Sequence, residues 1–485
     1  MGAPVSTLTA GKLLIGDWVA ARSGAVESVN SPWDGRVVGE VAVAGAADVD
    51  AALAAAERGA AIWRETPAHA RMDVMSRAAD LVSQRAEEIA RALSGENGKT
   101  ITEARTEVGR AADMIRLAGF EGTQLYGDTL PLDANRGTGQ DKIGFTLRQP
   151  CGIVAAITPF NYPSLLVLHK VAPALAAGNA VVLKPARTTP LTALLLAQAF
   201  VDAGLPAGVL SVLTGPGAEI GDALVSDARV RKVSFTGSTG VGERITALAG
   251  VKKLSLELGA SCPVIVLPDA DIEAAAAAVA LGGYANAGQV CISVQRVIAH
   301  PKVQGDFLDA LVPKVRDIAF GDPASEASQM GTLITAGEAQ RVHAAIQAAG
   351  AEGADILTGG DLDGATVSPA VVAGVAAGAS LNQDELFGPA VAVSTATDWA
   401  DAIAQANSTA YGLGAGVFTS DVSGAVQAIR QIDAGVVHIN WTPLWRADLM
   451  PYGGLKASGI GKEGFRSAVE EMTEVKTVIL HGRPW

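Results

Sequence analysis

From Cys151 to Gly242 the chain alternates short apolar runs, helix-like stretches and glycine-marked turns, and this alternation limits the possible folds more than any single motif does. CGIVAAI (Cys151 to Ile157) predicts a strand, Pro163 to Ala177 a helix, NAVVLKP (Asn179 to Pro185) a strand, Pro190 to Ala203 a helix and Val209 to Leu213 a third strand. TGPGAEIG (Thr214 to Gly221) opens another helix, and VRKVSFTGSTGVG (Val230 to Gly242) repeats the strand, glycine turn and helix. Strands separated by helices at this pitch specify an α/β fold, a parallel sheet with helices on its faces. Ligands of such sheets sit at the carboxyl ends of the strands. After Leu254 the pattern resumes through Val264 to Leu267, an Ala-rich helix from Asp271, and strands near Val294 to Ala299 and Val391 to Ser394, which predicts a second α/β domain containing Cys291.

Ahead of this region, Ala46 to Phe120 reads as three helices, the first around Asp48 to Glu65 and the second after Pro67. SGENGKT (Ser94 to Thr100) carries the GKT of a phosphate loop, but Leu93 stands where the leading glycine is needed and no strand precedes it. It is read as a helix stop. Thr123 to Gln149 is alternating and turn-rich, with Asp133, Asn135, Gly137 and Gly139 at its middle, and predicts a long projecting hairpin. An exposed strand edge is commonly covered by a partner, so the hairpin is expected to serve oligomerisation.

A chain of 485 residues allows two or three domains, and 49% hydrophobic residues with 55 Gly describe a globular protein without long disorder. The net charge of -13, with no long Lys/Arg run, argues against a nucleic-acid partner. The apolar stretches are too short and interrupted for a membrane span, and the start lacks the order of a secretory signal. MGAPVS (Met1 to Ser6) fits a loose myristoylation pattern, but no second anchor follows it. Three cysteines, Cys151, Cys262 and Cys291, make no disulfide framework, and a reducing, cytoplasmic setting is expected.

GYANAGQVCISVQR (Gly283 to Arg296) places Cys291 in a candidate nucleophile segment. A thiol attacks a carbonyl as the thiolate, so an electropositive, partly open setting is expected around it. Thr158 to Pro163 (TPFNYP), Glu257 to Ala260 (ELGA) and Gln383 to Pro389 (QDELFGP) supply polar groups for that purpose. GPGAEIG at Gly215 and GSTGVG at Gly237 both miss the dinucleotide spacing, yet each opens a helix whose N-terminal amides suit a pyrophosphate. No metal-ligand spacing occurs among the six His and three Cys, and no G-x-S-x-G elbow is present.

Taken together, TPFNYP, NAVVLKP, FTGSTGVG, ELGA, GQVC, ELFGP and MPYGGLKASG follow the order and rough spacing of the aldehyde dehydrogenase superfamily, which the chain resembles over nearly its whole length. WTPLWRADLMPYGGLKASGIGKEG is similar to members acting on small polar aldehydes such as lactaldehyde, glycolaldehyde or phosphonoacetaldehyde. The resemblance implies a Rossmann-like cofactor domain (1–122 and 148–254), a catalytic domain (255–460), bridging elements (123–147 and 461–485) and a homodimer or homotetramer.

It also implies roles. Cys291 is the nucleophile, Asn161 the side-chain donor to the oxyanion, and Glu257 the base that activates water against the thioester, which favours hydrolysis to a free acid over transfer to coenzyme A. Lys170 and Glu463 match a proton relay or an ion pair. Thr158, Phe160, Lys184, Gly217, Gly237, Ser238, Glu385 and Phe387 fall at cofactor positions. Arg187 stands where NAD-using members usually carry Glu, which points to NADP, with NAD as the other candidate. The substrate side draws on Tyr162, Val290, Ile292, Trp441, Trp445 and Arg446. Arg446 is expected either to anchor an anionic aldehyde or to pair with Asp448, while the tryptophans leave an aromatic aldehyde open as an alternative.

Overall fold

The computed structural model describes residues 11–482. Its first sheet has eight strands in the order Asp17–Val19, Leu13–Ile15, Leu210–Val212, Ala180–Lys184, Ile153–Ile157, Val230–Thr236, Lys253–Glu257, Gly459–Ile460. The five strands from Leu210–Val212 to Lys253–Glu257 are mutually parallel, and the strands flanking them are antiparallel. Chain order runs outward from Ile153–Ile157 in one direction and then resumes on its other side at Val230–Thr236. The crevice outside the carboxyl ends at such a reversal is where a doubly wound sheet binds its ligand.

The second sheet has seven strands, ordered Asp355–Thr358, Ala370–Ala373, Ala390–Thr395, Val294–Ala299, Cys262–Val266, Gly414–Phe418, Val436–Ile439. All neighbours are parallel except Asp355–Thr358 and Ala370–Ala373, which are antiparallel. The strands Ile153–Ile157 and Cys262–Val266 are near-continuous runs of buried β-branched and small residues, as sheets covered on both faces require. Cys291 precedes Val294–Ala299 and therefore lies at the amino end of its own sheet. The rule about carboxyl ends locates the cleft from the first sheet only.

Two expectations need correction. Four helices, not three, occupy the N-terminal region: Ala46–Glu65, Ala68–Gln84, Ala86–Asn97 and Ile101–Thr123. Arg85, at φ -101° and ψ 11°, interrupts what reads as one amphipathic run. Gly98 then ends the third helix in the left-handed region (φ 84°). Thr100 and Glu103 form a capping box that starts the fourth, and Lys99 is buried in an ion pair with Glu107 at 2.6 Å. The GKT is thus a helix stop and a helix start.

The hairpin is the second correction. Thr129–Leu130 is its only first-strand pairing, and the strand Lys142–Pro150 instead pairs along its whole length with Thr473–His481. Left-handed Gly137 and Gly139 and the turns between Pro131 and Asp141 leave too little extended chain for self-pairing. Among the described residues no helix is long and apolar enough to cross a membrane. The Met1 to Ser6 pattern lies outside the described residues.

Candidate active site

The helix Leu165–Ala176 is buried at every position, although its sequence LLVLHKVAPALA contains His169 and Lys170. Its first amides are capped from another helix: Ser164 N and Leu165 N donate to Glu107 Oε1 at 2.9 and 3.2 Å. The carboxylate that pairs with Lys99 thus also fixes this helix, and Lys99 Nζ stands 3.8 Å over the Tyr162 ring. TPFNYP is held rigidly against the nucleophile segment in consequence.

That segment is bent by three consecutive left-handed residues, Asn286 (φ 49°), Ala287 (φ 54°) and Gly288 (φ 70°). Non-glycine residues persist in this region only where their surroundings enforce it. Asn286 N donates to Glu103 Oε1 at 2.6 Å, and Asn286 Nδ2 donates to Asn161 O at 3.0 Å. Gln289 Nε2 donates to Asn286 O and Thr332 O, while Gln289 Oε1 accepts from Ile334 N at 2.9 Å. A Cβ on Gly288 would lie 2.1 Å from Gly388 O, so only glycine fits there. The result aims Cys291 into a cleft between the two sheets.

This cleft encloses about 740 Å³ and is lined by Thr158, Phe160, Asn161, Lys184, Gly217, Gly237, Ser238, Cys291, Glu385 and Phe387, among others. Ten residues singled out in the sequence therefore meet in one cavity. Asn161 Nδ2 donates to Gln289 O at 2.8 Å, two residues before the thiol, and an amide nitrogen keeps a second hydrogen for another acceptor. Glu385 Oε1 accepts from Ala260 N at 2.9 Å, and burial pushes the Glu385 carboxyl up to about 7. Phe387, itself left-handed (φ 52°), meets Phe160 edge to face at 5.8 Å.

The cleft suits a dinucleotide. Gly217 begins the helix Gly217–Ser226 and Ser238 immediately precedes Thr239–Ala249, so two helix N-termini open into it. Thr158 Oγ1 and Thr236 Oγ1 are buried without a partner, and Lys184 adds a cation. Burial draws the Lys184 ammonium down to about 8.

Behind the thiol lies a charged cluster. Lys170 Nζ and Glu463 Oε1 are 2.7 Å apart and almost fully buried. Arg446 Nη2 donates to Glu463 Oε2 at 3.3 Å and lies 3.4 Å from His169 Nδ1, and its guanidinium carbon stands 3.8 Å over the Tyr452 ring. The Tyr452 hydroxyl and Cys291 Sγ are 3.1 Å apart. Burial alone would raise Glu463, but Lys170, Arg446 and His169 hold it well below the usual carboxylate range. Burial and the charge of Glu463 push Glu257 well above that range, and both Glu257 oxygens are enclosed without a partner. Glu257 sits beside Gly453, where a Cβ would come within 2.8 Å of Oε1.

Some expectations change here. The thiol is not in an electropositive setting: burial pushes Cys291 up to about 11, with Glu257 and Glu385 adding to the rise and Tyr452 and Arg446 opposing it. Arg446 does not pair with Asp448, which is taken by Arg110 at 2.6 Å. Val290 and Ile292 are buried beside Tyr452 and Ala260, and Tyr162 packs on the same cluster. Trp441 and Trp445 stand at the surface, 42% and 57% exposed, the latter edge-on to His438. Arg187 is bound to Glu27 by Nε at 2.8 Å and Nη2 at 2.6 Å. Tyr452 and His169 escaped the sequence reading. The first lay inside the quoted MPYGG, and the second was signalled only by a polar pair within an apolar helix.

A thiol placed between an amide donor and a phenol, at the inner end of a dinucleotide-sized cleft, defines a thiol-dependent oxidoreductase. The chain matches the Aldehyde dehydrogenase family over residues 18–478 and belongs to it. It is 43% identical to 3-sulfolactaldehyde dehydrogenase of Priestia aryabhattai over 91% of this chain and 92% of that one. It is 38% identical to lactaldehyde dehydrogenase of Methanococcus vannielii over 87% of this chain and 90% of that one. Among solved structures, NADP-dependent glyceraldehyde-3-phosphate dehydrogenase from Bacillus halodurans C-125, complexed with NADP, superposes with a TM-score of 0.95 at 34% identity, covering 97% of this chain and 99% of that one.

Proposed function

We propose that this enzyme oxidises a small anionic aldehyde to its carboxylic acid with a nicotinamide dinucleotide, NADP or NAD. The observation that carries the reading is the contact of Tyr452 with the Cys291 thiol at 3.1 Å, with Arg446 stacked on the same ring at 3.8 Å. A nucleophile and a buried cation thus share one aromatic platform. A guanidinium in a water-poor site is a strong fork for carboxylate, sulfonate or phosphonate. The names of the relatives, a sulfolactaldehyde and a lactaldehyde dehydrogenase, agree with a short polar substrate.

In this reading the Cys291 thiol loses its proton to water and its sulfur attacks the aldehyde carbon, forming a C–S bond as the C=O π electrons pass to the oxygen as an oxyanion. Asn161 Nδ2 and the Cys291 N–H donate to that oxygen, and such a donor is worth roughly 10²–10³ in rate. The nicotinamide, when bound, supplies the hydride acceptor that turns the thiohemiacetal into a thioester. Thr158, Lys184, Gly217, Gly237, Ser238, Glu385, Phe160 and Phe387 would hold the dinucleotide. Glu257 then takes a proton from water as the water oxygen attacks the thioester carbonyl. The C–S bond breaks, the acid is released, and the leaving sulfur takes the proton from Glu257, which restores the thiol and the base. Burial and then the negative charge of Glu463 keep Glu257 a strong proton acceptor, while Lys170, paired with Glu463, opposes the rise.

We also take the exposed apolar residues Ile143, Leu147, Val475, Ile479 and Leu480 on the paired strands as a subunit contact for a homodimer or homotetramer. The substrate reading is tested by steady-state kinetics with a panel of matched neutral and anionic short aldehydes. Anionic members should show the lower KM, and Arg446→Ala should raise their KM about 10-fold or more while leaving neutral members within about twofold. Equal effects on both classes would overturn it.

A further inference from the structure

Glu27 belongs to no motif and lies far from the cleft in sequence, on the strand Val26–Asn30 of a two-stranded ribbon with Val37–Ala42. In the structure its Oε2 accepts both Nε and Nη2 of Arg187, at 2.8 and 2.6 Å. Arg187 follows Lys184 and Ala186, both of which line the cleft. Glu27 is 18% exposed at its side chain, Arg187 61%. The second carboxylate oxygen, Glu27 Oε1, is enclosed and has no hydrogen-bond partner among the described residues. A buried acceptor left empty is costly and calls for a donor. Glu27 also opposes the fall of the Lys184 ammonium, so its charge is felt at the cleft.

Two ligands would meet this pair differently. A ribose 2′-hydroxyl leaves the ion pair intact. A 2′-phosphate carries up to about two negative charges, so it must draw Arg187 away from Glu27 and tolerate that carboxylate nearby. We propose that Glu27 is the residue that sets cofactor preference, by restraining the pull of Arg187 toward a 2′-phosphate. The inference rests on the reading of the cleft as a dinucleotide site. It assigns to a separate N-terminal ribbon an acidic function that the segment after Lys184 lacks.

The test is calorimetric binding of 2′,5′-ADP and 5′-AMP to the full-length protein, to Glu27→Gln and to Arg187→Met. These probes need no aldehyde and no turnover. Glu27→Gln removes the charge at constant size and should raise the affinity ratio of 2′,5′-ADP to 5′-AMP about 10-fold or more. Arg187→Met, at an exposed position where folding is not at risk, should lower the same ratio about 10-fold or more. A ratio within about twofold of the parent in Glu27→Gln, or in Arg187→Met, overturns the assignment while leaving the dinucleotide reading in place. Failure of the parent protein to bind either probe overturns both.

Discussion

Tyr452→Phe removes one oxygen and leaves the ring under Arg446 in place. In the parent the phenol oxygen and Cys291 Sγ are 3.1 Å apart, so the O–H can donate to the sulfur once it is a thiolate, and Tyr452 is one of the two groups that oppose the rise of the thiol to about 11. A hydrogen bond to a charged acceptor contributes about 1.5–3 kcal/mol, which moves a titration upward by about one to two pH units. Well below its midpoint the thiolate fraction falls tenfold per pH unit, so roughly 10–100-fold less thiolate is present at a given pH. The thiolate that does form is a better nucleophile, with a Brønsted slope of about 0.4–0.5, leaving a net slowing of roughly 4–15-fold. The assay is iodoacetamide alkylation across neutral to alkaline pH, read as loss of the unmodified Cys291 peptide by mass spectrometry. Burial pushes Cys151 up to about 11 and Cys262 up to about 12, and following the Cys291 peptide separates it from both. Alkylation rates within twofold of the parent at every pH would refute the role of the phenol.

Glu257→Gln should permit one rapid turnover and slow every later one, seen as a burst in stopped-flow absorbance; in the parent, deacylation should rise with pH, because burial and Glu463 hold the Glu257 carboxyl protonated well above its ordinary range. Lys99→Met leaves Glu107 buried without its counter-ion and should cost about 3–5 kcal/mol by urea denaturation, far more than an exposed lysine would. Glu96 caps the helix Leu191–Asp202 through Leu191 N and Thr192 N, and burial lifts its carboxyl to about 8. The folded protein therefore holds a proton that the unfolded chain releases near pH 4.5, so this contribution is full below that pH and lost as pH rises toward about 8. Glu96→Gln should remove about 3–5 kcal/mol of that decline, checked by melting temperature across the same range.

The parallel sheets were legible because their strands are buried on both faces and bounded by glycine turns, a signal that needs no partner residue to be seen. Ten cleft residues were legible because each sits in a short motif at a strand end. What escaped depended on contacts distant in sequence. Arg85 splits one amphipathic run into two helices by a local backbone change that periodicity does not encode. The strand Lys142–Pro150 finds its long partner more than 300 residues away, at Thr473–His481, and nothing near it announces this. The pairing of Arg446 with Glu463 in preference to its neighbour Asp448 follows from the helix carrying His169 and Lys170. Glu27, likewise, has no local mark of its meeting with Arg187. The titration of the thiol was hidden for a related reason: motif logic supplies the chemistry that a nucleophile needs, whereas burial, Tyr452, the two carboxylates and Arg446 together set where it titrates.

The central claim is that the Cys291 thioester is hydrolysed by water through Glu257. The most direct measurement mixes the parent protein with oxidised cofactor and a short anionic aldehyde, without coenzyme A, and follows reduced cofactor by absorbance alongside free acid by chromatography. Continuous turnover with acid and reduced cofactor formed one to one is the predicted result. A single turnover that stops until coenzyme A is added would contradict the account.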